Sequence, residues 1–344
     1  MLGWARGDFV RKRMVNIGGD NMSGDYICGA YPSAPSQHSN DKDAETAFYN
    51  RLRSMPQIGG IEIPFWGEAT HPFGDAFMQS CLHADWVNVM TCVPLSMDAK
   101  ARDLKIGLAA SDEDARQHSI AMHERAYRTF QDFNAQAGKN IFKAVHLVSA
   151  PAGGPDYASK DALQKSLAQI AGWDWGGIDI LIEHCDAHKP DGGAEKGLLS
   201  LEEELHVIDA MGIKNLGVAL NTGRSTVEGR DAGHAITHLE RVQQSGVPFA
   251  LVFSGSAGAD DAYGPWKDLH MPFGAFEGSK FPYPNSSLSK DALDRLFDVL
   301  DERSKALAFI GFKVMPLPQS SATINRRVGI NEDAIAILTS YLNG

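Results

Sequence analysis

Residues 178–188 read IDILIEHCDAH: a strand-length apolar run, Ile178–Ile182, ending abruptly in Glu183 and His184. Its apolar residues do not alternate strictly with polar ones, which is how a strand buried on both faces reads. Seven other stretches have the same character: Tyr26–Tyr31, Gly60–Phe65, Trp86–Val93, Phe142–Ser149, Leu216–Thr222, Phe249–Ser254 and Ala308–Met315, with Ile178–Cys185 as the fifth of the eight. Amphipathic, helix-like segments lie between them: Asp41–Ser54, Phe73–Leu82, a long one running to Ala137, Ser159–Ala171, Glu204–Met211 and Arg230–Ser245, with two more near the end. Start signals accompany several. Ser111 precedes Asp112-Glu113-Asp114, Ser200 stands three residues before Glu203, Gly212 stops that helix, and Ser289 and Asn331 are candidate caps for the last two.

Strands alternating with helices imply parallel strands joined by right-handed crossovers. A count of eight, and no G-x-G-x-x-G after the first strand, favour a closed α/β barrel, the (β/α)8 TIM barrel, over an open doubly wound sheet. No linker-like stretch divides the chain, so residues 25–344 are expected to form one domain. Residues 1–24, with little periodicity and a Gly18-Gly19 pair, are expected to be a flexible extension.

Composition narrows the function classes. The 344 residues carry 32 Lys and Arg against 43 Asp and Glu, a formal charge of −11, which argues against nucleic acid or an anionic membrane as partner. No apolar run is long enough to span a bilayer, and no apolar segment follows the basic residues Arg6–Arg13 as a secretory signal would require. The four cysteines are far apart, without zinc-finger spacing; a reducing, cytoplasmic setting fits them.

In a barrel of this kind the chemistry sits at the C-terminal ends of the strands. Those ends bring Glu62, Trp66, His146, Glu183, Asn221, Arg224, Ser254 and Lys313 to one mouth, with His270 on the long 263–284 loop that could form a lid. Glu183 suits a general base or a metal ligand; its plain alternative is a salt bridge to Lys313 or Arg224. His146 reads equally as acid/base or as a hydrogen-bonded core histidine. Lys313 could bind an anion, act as a base or form a Schiff base, or simply pair with Glu183. Arg224 is suited to clamp a carboxylate or phosphate. The Ser254–Gly258 loop could cradle a phosphate or be a tight turn, and Trp66 and Trp266 could stack on a sugar or pack. The Glu202-Glu203-Glu204 run reads as the acidic first turn of a helix.

Five motifs in order, IEIPFWGE (61–68), HLVSAP (146–151), LIEHCDAH (181–188), NTGRS (221–225) and GFKVMPLP (311–318), resemble the xylose-isomerase-like TIM barrels. More narrowly, they are similar to a bacterial subgroup carrying a domain of unknown function. The resemblance implies a sugar isomerase or epimerase; a lyase or dehydratase on a sugar derivative is the alternative, since both begin by removing a proton next to a carbonyl. It also implies that metal-dependent relatives hold a divalent ion through a Glu after strand five, an Asp after strand six, a nearby His and a Glu after strand eight. Glu183 matches the first position, but Asn221, Arg224 and Lys313 stand at the others. A hard dication prefers anionic oxygens, so the expectation is a site with no metal cofactor and an anionic sugar, sugar acid or sugar phosphate as substrate. A divalent ion on Glu183 with ligands drawn from His146, His184 or His270 is the alternative, and a non-catalytic sugar-binding barrel the rival from another class. Relatives often associate, so a homo-oligomer is possible.

Overall fold

The computed structural model describes residues 26–300 and 306–343, so the expected 1–24 extension lies outside the described residues. Eight parallel strands close into a barrel in sequence order: β1 Tyr26–Gly29, β2 Ile58–Pro64, β3 Asn88–Thr91, β4 Phe142–Leu147, β5 Asp179–Glu183, β6 Leu216–Asn221, β7 Phe249–Phe253 and β8 Leu307–Lys313. β1 pairs with β8, placing Gly29 beside Lys313. The expected (β/α)8 architecture is therefore present.

Ten α-helices occur among the described residues: α1 Lys42–Arg53, α2 Asp75–Cys81, α3 Val93–Arg102, α4 Glu113–Ala137, α5 Lys160–Ala171, α6 Leu201–Met211, α7 Thr222–Gly229, α8 Gly233–Ser245, α9 Lys290–Val299 and α10 Ile324–Asn343. Two short ones, α3 and α7, were not expected. Both begin directly at a strand end, where the sequence reads as loop. Asn221 explains α7: its side chain accepts from the backbone N–H groups of Gly223 and Arg224, capping the helix that holds NTGRS. Two cap assignments also change. Asp112 caps α4 in place of Ser111 by accepting from Ala115 N–H. Asn331 lies buried inside α10, where its amide donates to Ser33 Oγ at 3.1 Å and Arg327 O at 2.7 Å. Ser200 and Glu203 do form a reciprocal capping box at α6.

The two-residue period of a strand positions the site. Ile27, Val89, Ala144, Leu181, Ala219, Ala250 and Phe309, from seven strands, form a buried cluster of their own, apart from the larger apolar layer between strands and helices. This is the plug filling the barrel interior. Two residues further along, on the same face, the apolar residues give way: Leu181 leads to Glu183, Ala144 to His146 and Ala219 to Asn221. On β8 the series runs Phe309, Gly311, Lys313. The polar cluster thus rests on an apolar floor.

Close approach requires glycine at Gly217, where a Cβ would lie 1.9 Å from the Pro248 carbonyl oxygen, a backbone atom that cannot swing aside. Gly217→Ala should therefore destabilise the barrel by about 1–3 kcal/mol, the usual range for overpacking. The check is the urea midpoint; an unchanged midpoint would show that β6 and β7 can part at no cost.

Candidate active site

Lys313 sits at the centre of the mouth and is fully buried. Its Nζ donates to Glu62 Oε1 at 2.8 Å and lies 3.4 Å from both Glu183 Oε1 and the Tyr31 hydroxyl. The Tyr31 ring faces the ammonium at 5.2 Å. Gly29 makes room for this arrangement, because a Cβ there would stand 2.8 Å from Lys313 Cγ. Arg224 Nη1 makes a 2.8 Å ion pair with Glu183 Oε1, and its Nε donates to Asp268 Oδ2 at 2.9 Å. Asn221 Nδ2 reaches the same Glu183 oxygen at 3.5 Å while its carbonyl oxygen caps α7.

His146 stands over Phe309, nearly parallel to it, with ring centroids 6.0 Å apart. Its Nδ1 is 3.4 Å from Glu183 Oε2 and 3.9 Å from Glu62 Oε1. Neither imidazole nitrogen makes a hydrogen bond, and Glu183 Oε2 accepts none. Buried polar atoms left without partners are uncommon. Here they face one another.

The charge states follow from these contacts. Burial alone would raise Glu183, but Arg224 and then Lys313 hold it well below the usual carboxylate range. Glu62 is treated likewise, with Lys313 outweighing its burial. Burial would lower Lys313, yet Glu183 and Glu62 hold it above the ordinary amine value. His146 is raised, since its two carboxylate neighbours overcome desolvation. Glu62, Glu183, Arg224 and Lys313 are a set of ionised pairs.

A covering layer closes over these groups. Asp268, in the long loop after β7, joins Arg224 to Lys196 of the loop after β5, with Lys196 Nζ donating to Asp268 Oδ2 at 2.5 Å. Glu195 accepts from the Asp268 backbone N–H at 2.7 Å. His270 Nδ1 lies 3.3 Å from Asp268 Oδ1 and 3.0 Å from Ser254 Oγ. Burial pushes the His270 imidazole down to about 4, with Asp268 only partly opposing it.

The structure thus gathers Glu62, His146, Glu183, Asn221, Arg224 and Lys313 in one place, with Ser254 and His270 on the rim. Trp66 stands apart: it is 41% exposed and meets Tyr31 edge-on at 6.1 Å. The Ser254–Gly258 segment does not form an open phosphate cradle. Its first three N–H groups are already used, Ser254 by Thr222 Oγ1, Gly255 by Met271 O and Ser256 by Ser287 Oγ. His184 turns away from the mouth. Glu204 does stand in the acidic first turn of α6, and it is fully buried and accepts from Ser149 at 2.5 Å. Tyr31, Lys196 and Asp268 were not anticipated; the first reads as a strand residue and the others as loop charges, with no local signal of convergence.

Glu62, His146 and Glu183 offer ligand atoms within 4.8 Å of one another, so a divalent ion is worth testing here. The donor types suit one, but the space between the carboxylates holds the Lys313 ammonium, and Arg224 already occupies Glu183 Oε1. A dication would add charge to a centre already neutralised by two cations. The residues present do not fit it.

The sequence matches the profile of a family described as a domain of unknown function, DUF4862, over residues 27–330. The uncharacterised protein STM3670 of Salmonella typhimurium strain LT2 is 34% identical over 316 residues, 91% of this chain and 96% of that protein. Among solved structures, an L-ribulose 3-epimerase superposes with a TM-score of 0.56 at 15% identity, covering 93% of this chain and 95% of its own. D-allulose 3-epimerase from a Methylomonas species, in complex with D-allulose, gives 0.56 at 12% identity, covering 93% and 98%. The IOLI protein with a binding zinc atom gives 0.55 at 14%, covering 92% and 99%. At these identities the shared feature is the fold, a closed (β/α)8 barrel.

Proposed function

Since the chain belongs to the DUF4862 family and has the barrel of the sugar epimerases, we propose that it is an isomerase or epimerase of an anionic sugar derivative, working by proton transfer next to a carbonyl. The observation that carries this reading is the buried Glu183 carboxylate, whose Oε2 faces His146 without a hydrogen bond while its Oε1 faces Lys313. Glu183 would take the α-proton through Oε2. The Lys313 ammonium, 3.4 Å from the other oxygen of the same carboxylate, would stabilise the enediolate oxygen that develops. His146 would return a proton, and whether it returns to the same carbon or its neighbour separates epimerisation from isomerisation.

A carboxylate held by two cations is a weak base, and substrate binding would correct that. A substrate oxygen that draws Lys313 and Arg224 from Oε1 removes the interactions that depress Glu183, so its basicity would rise when the substrate is in place. Asp268 marks where a substrate anion would sit. Its carboxylate bridges Arg224 and Lys196, the pair a substrate carboxylate or phosphate would use if the covering loop swung aside.

The test is NMR in D2O with the protein and a panel of aldoses, ketoses, uronic acids and sugar phosphates. The expected result is loss of one α C–H signal together with an epimeric or isomeric product. Release of a β-substituent would move the reading to a lyase. Thermal stabilisation by a sugar with no exchange would mark a binding barrel and overturn the catalytic reading.

A further inference from the structure

On the outer side of the barrel mouth, three imidazoles converge on one carboxylate. His184, directly after β5, places Nε2 at 3.1 Å from Glu228 Oε2. His234 and His238, one turn apart on α8, place Nε2 at 3.5 and 3.7 Å from Glu228 Oε1. We propose that His184, Glu228 and His238, with His234 adjoining, bind a transition-metal ion of the zinc class and tie the end of β5 to α7 and α8. This site is separate from Glu62, His146 and Glu183 and does not depend on the proposed reaction.

Three observations carry it. The first is spacing: the ligand atoms of His184, Glu228 and His238 lie within 4.8 Å of one another. Tetrahedral zinc with bonds of roughly 2.0–2.2 Å separates its ligands by about 3.3 Å, and the contacts to Glu228 bracket that value. The second is orientation. His184 Nδ1 is held by Glu204 at 2.7 Å, and Glu204 in turn accepts from Ser149. His238 Nδ1 is held by Ser225 Oγ at 3.0 Å. In both rings the far nitrogen is fixed and Nε2 is aimed inward, as in metal sites whose histidines are oriented by a carboxylate or hydroxyl behind them. The third is an unsatisfied atom: His234 Nε2 is buried and has no hydrogen-bond partner.

Charge also balances. Glu204 and Glu228 bring two negative charges, and a dication with neutral imidazoles would cancel both. The Glu228 side chain is 14% exposed and that of His234 33%, so an ion can reach the site from solvent. The donor set, imidazole with one carboxylate, suits zinc or a neighbouring first-row ion better than calcium or magnesium, which prefer oxygen.

Chelator-stripped full-length protein should bind zinc at one equivalent per chain in a competition titration with a chromophoric chelator. His238→Ala should weaken binding at least 100-fold, and Glu204→Gln, which removes the orienting carboxylate, by 10–100-fold. Cobalt added to the stripped protein should give the intense visible absorption of a tetrahedral site, lost in His238→Ala. Circular dichroism on the apo variants separates loss of binding from loss of fold, and His234→Ala provides a second, more exposed substitution, expected to weaken binding. Sub-stoichiometric uptake would overturn the proposal. So would unchanged affinity in His238→Ala, or zinc that is lost in Glu62→Gln and kept in His238→Ala.

Discussion

Lys313→Met should lower the melting temperature by roughly 5 °C, and Glu62→Gln placed in the same chain should return a large part of it. The buried ammonium lies between two buried carboxylates at 2.8 and 3.4 Å. Removing one partner of such a cluster costs about 3–5 kcal/mol, because the remaining charges are left in a medium that cannot solvate them; a chain of 344 residues loses about 1.4 °C per kcal/mol. The methionine fills most of the lysine volume, so a cavity contributes little. Neutralising Glu62 then removes the repulsion, while Glu183 keeps Arg224. If the double variant melts no higher than the single one, the loss comes from packing around the lysine stem beside Gly29.

The same variant has a distinctive pH dependence. In the native protein Glu62 and Glu183 are lowered from 4.5, so their stabilisation is complete above about that pH and is lost as pH falls through the lowered values. Lys313 is raised from 10.5, so its contribution is complete below about that pH and disappears only above it. Glu62, Glu183 and Lys313 should therefore leave native stability flat from about pH 5 to 10, while His146, raised from 6.5, contributes stability that is complete below about that pH and is lost as pH rises through its folded value. Without the ammonium the two carboxylates repel, one is raised above its ordinary value, and protonating it relieves the strain. The deficit of Lys313→Met should be largest near neutrality and shrink toward pH 5, as melting curves at several pH values would show. A deficit constant over that range would mean the carboxylates are not the source.

The barrel was legible in the sequence because burial on both faces and the change from a two-residue to a 3.6-residue period are local properties. The mouth was legible for the same reason. A polar residue that ends an apolar run, such as Glu183 after Ile182 or Lys313 after Phe312, has nowhere to go but the rim. What the sequence withheld depends on contacts between distant loops. Asp268 and Lys196 lie 72 positions apart and meet only because the loops after β5 and β7 fold over the same mouth. Glu204 carries the pattern of a helix-start acid, and only the packing of α6 against the barrel turns it inward to His184. The pair His234 and His238 did carry a signal, the i, i+4 spacing that puts two imidazoles on one helix face. That spacing alone does not reveal a site, because Glu228 and His184 come from other elements. Asn331 shows the converse error, a good capping residue whose amide is used inside a helix to satisfy Ser33 and Arg327.

Glu183→Gln should reduce solvent deuterium incorporation by 10²–10⁴-fold, the range that a positioned general base supplies, while substrate affinity changes only a few-fold. The amide retains the shape of the carboxylate and can still accept from Arg224 through its oxygen, but Oε2 is replaced by, or exchanged with, a group that takes no proton. The fold should tolerate this better than Lys313→Met, since Asp268 still pairs with Arg224 and Glu62 still pairs with Lys313. Both constants must be measured, on whichever sugar shows exchange, because Glu183 has two claims on the site. If it is the base, the rate falls and binding stays. If it serves only to hold Arg224 for an anionic group, affinity falls and the rate at saturation stays. Exchange that survives saturating substrate within ten-fold of native would pass the role of base to His146, whose Nδ1 faces the same space without a hydrogen bond.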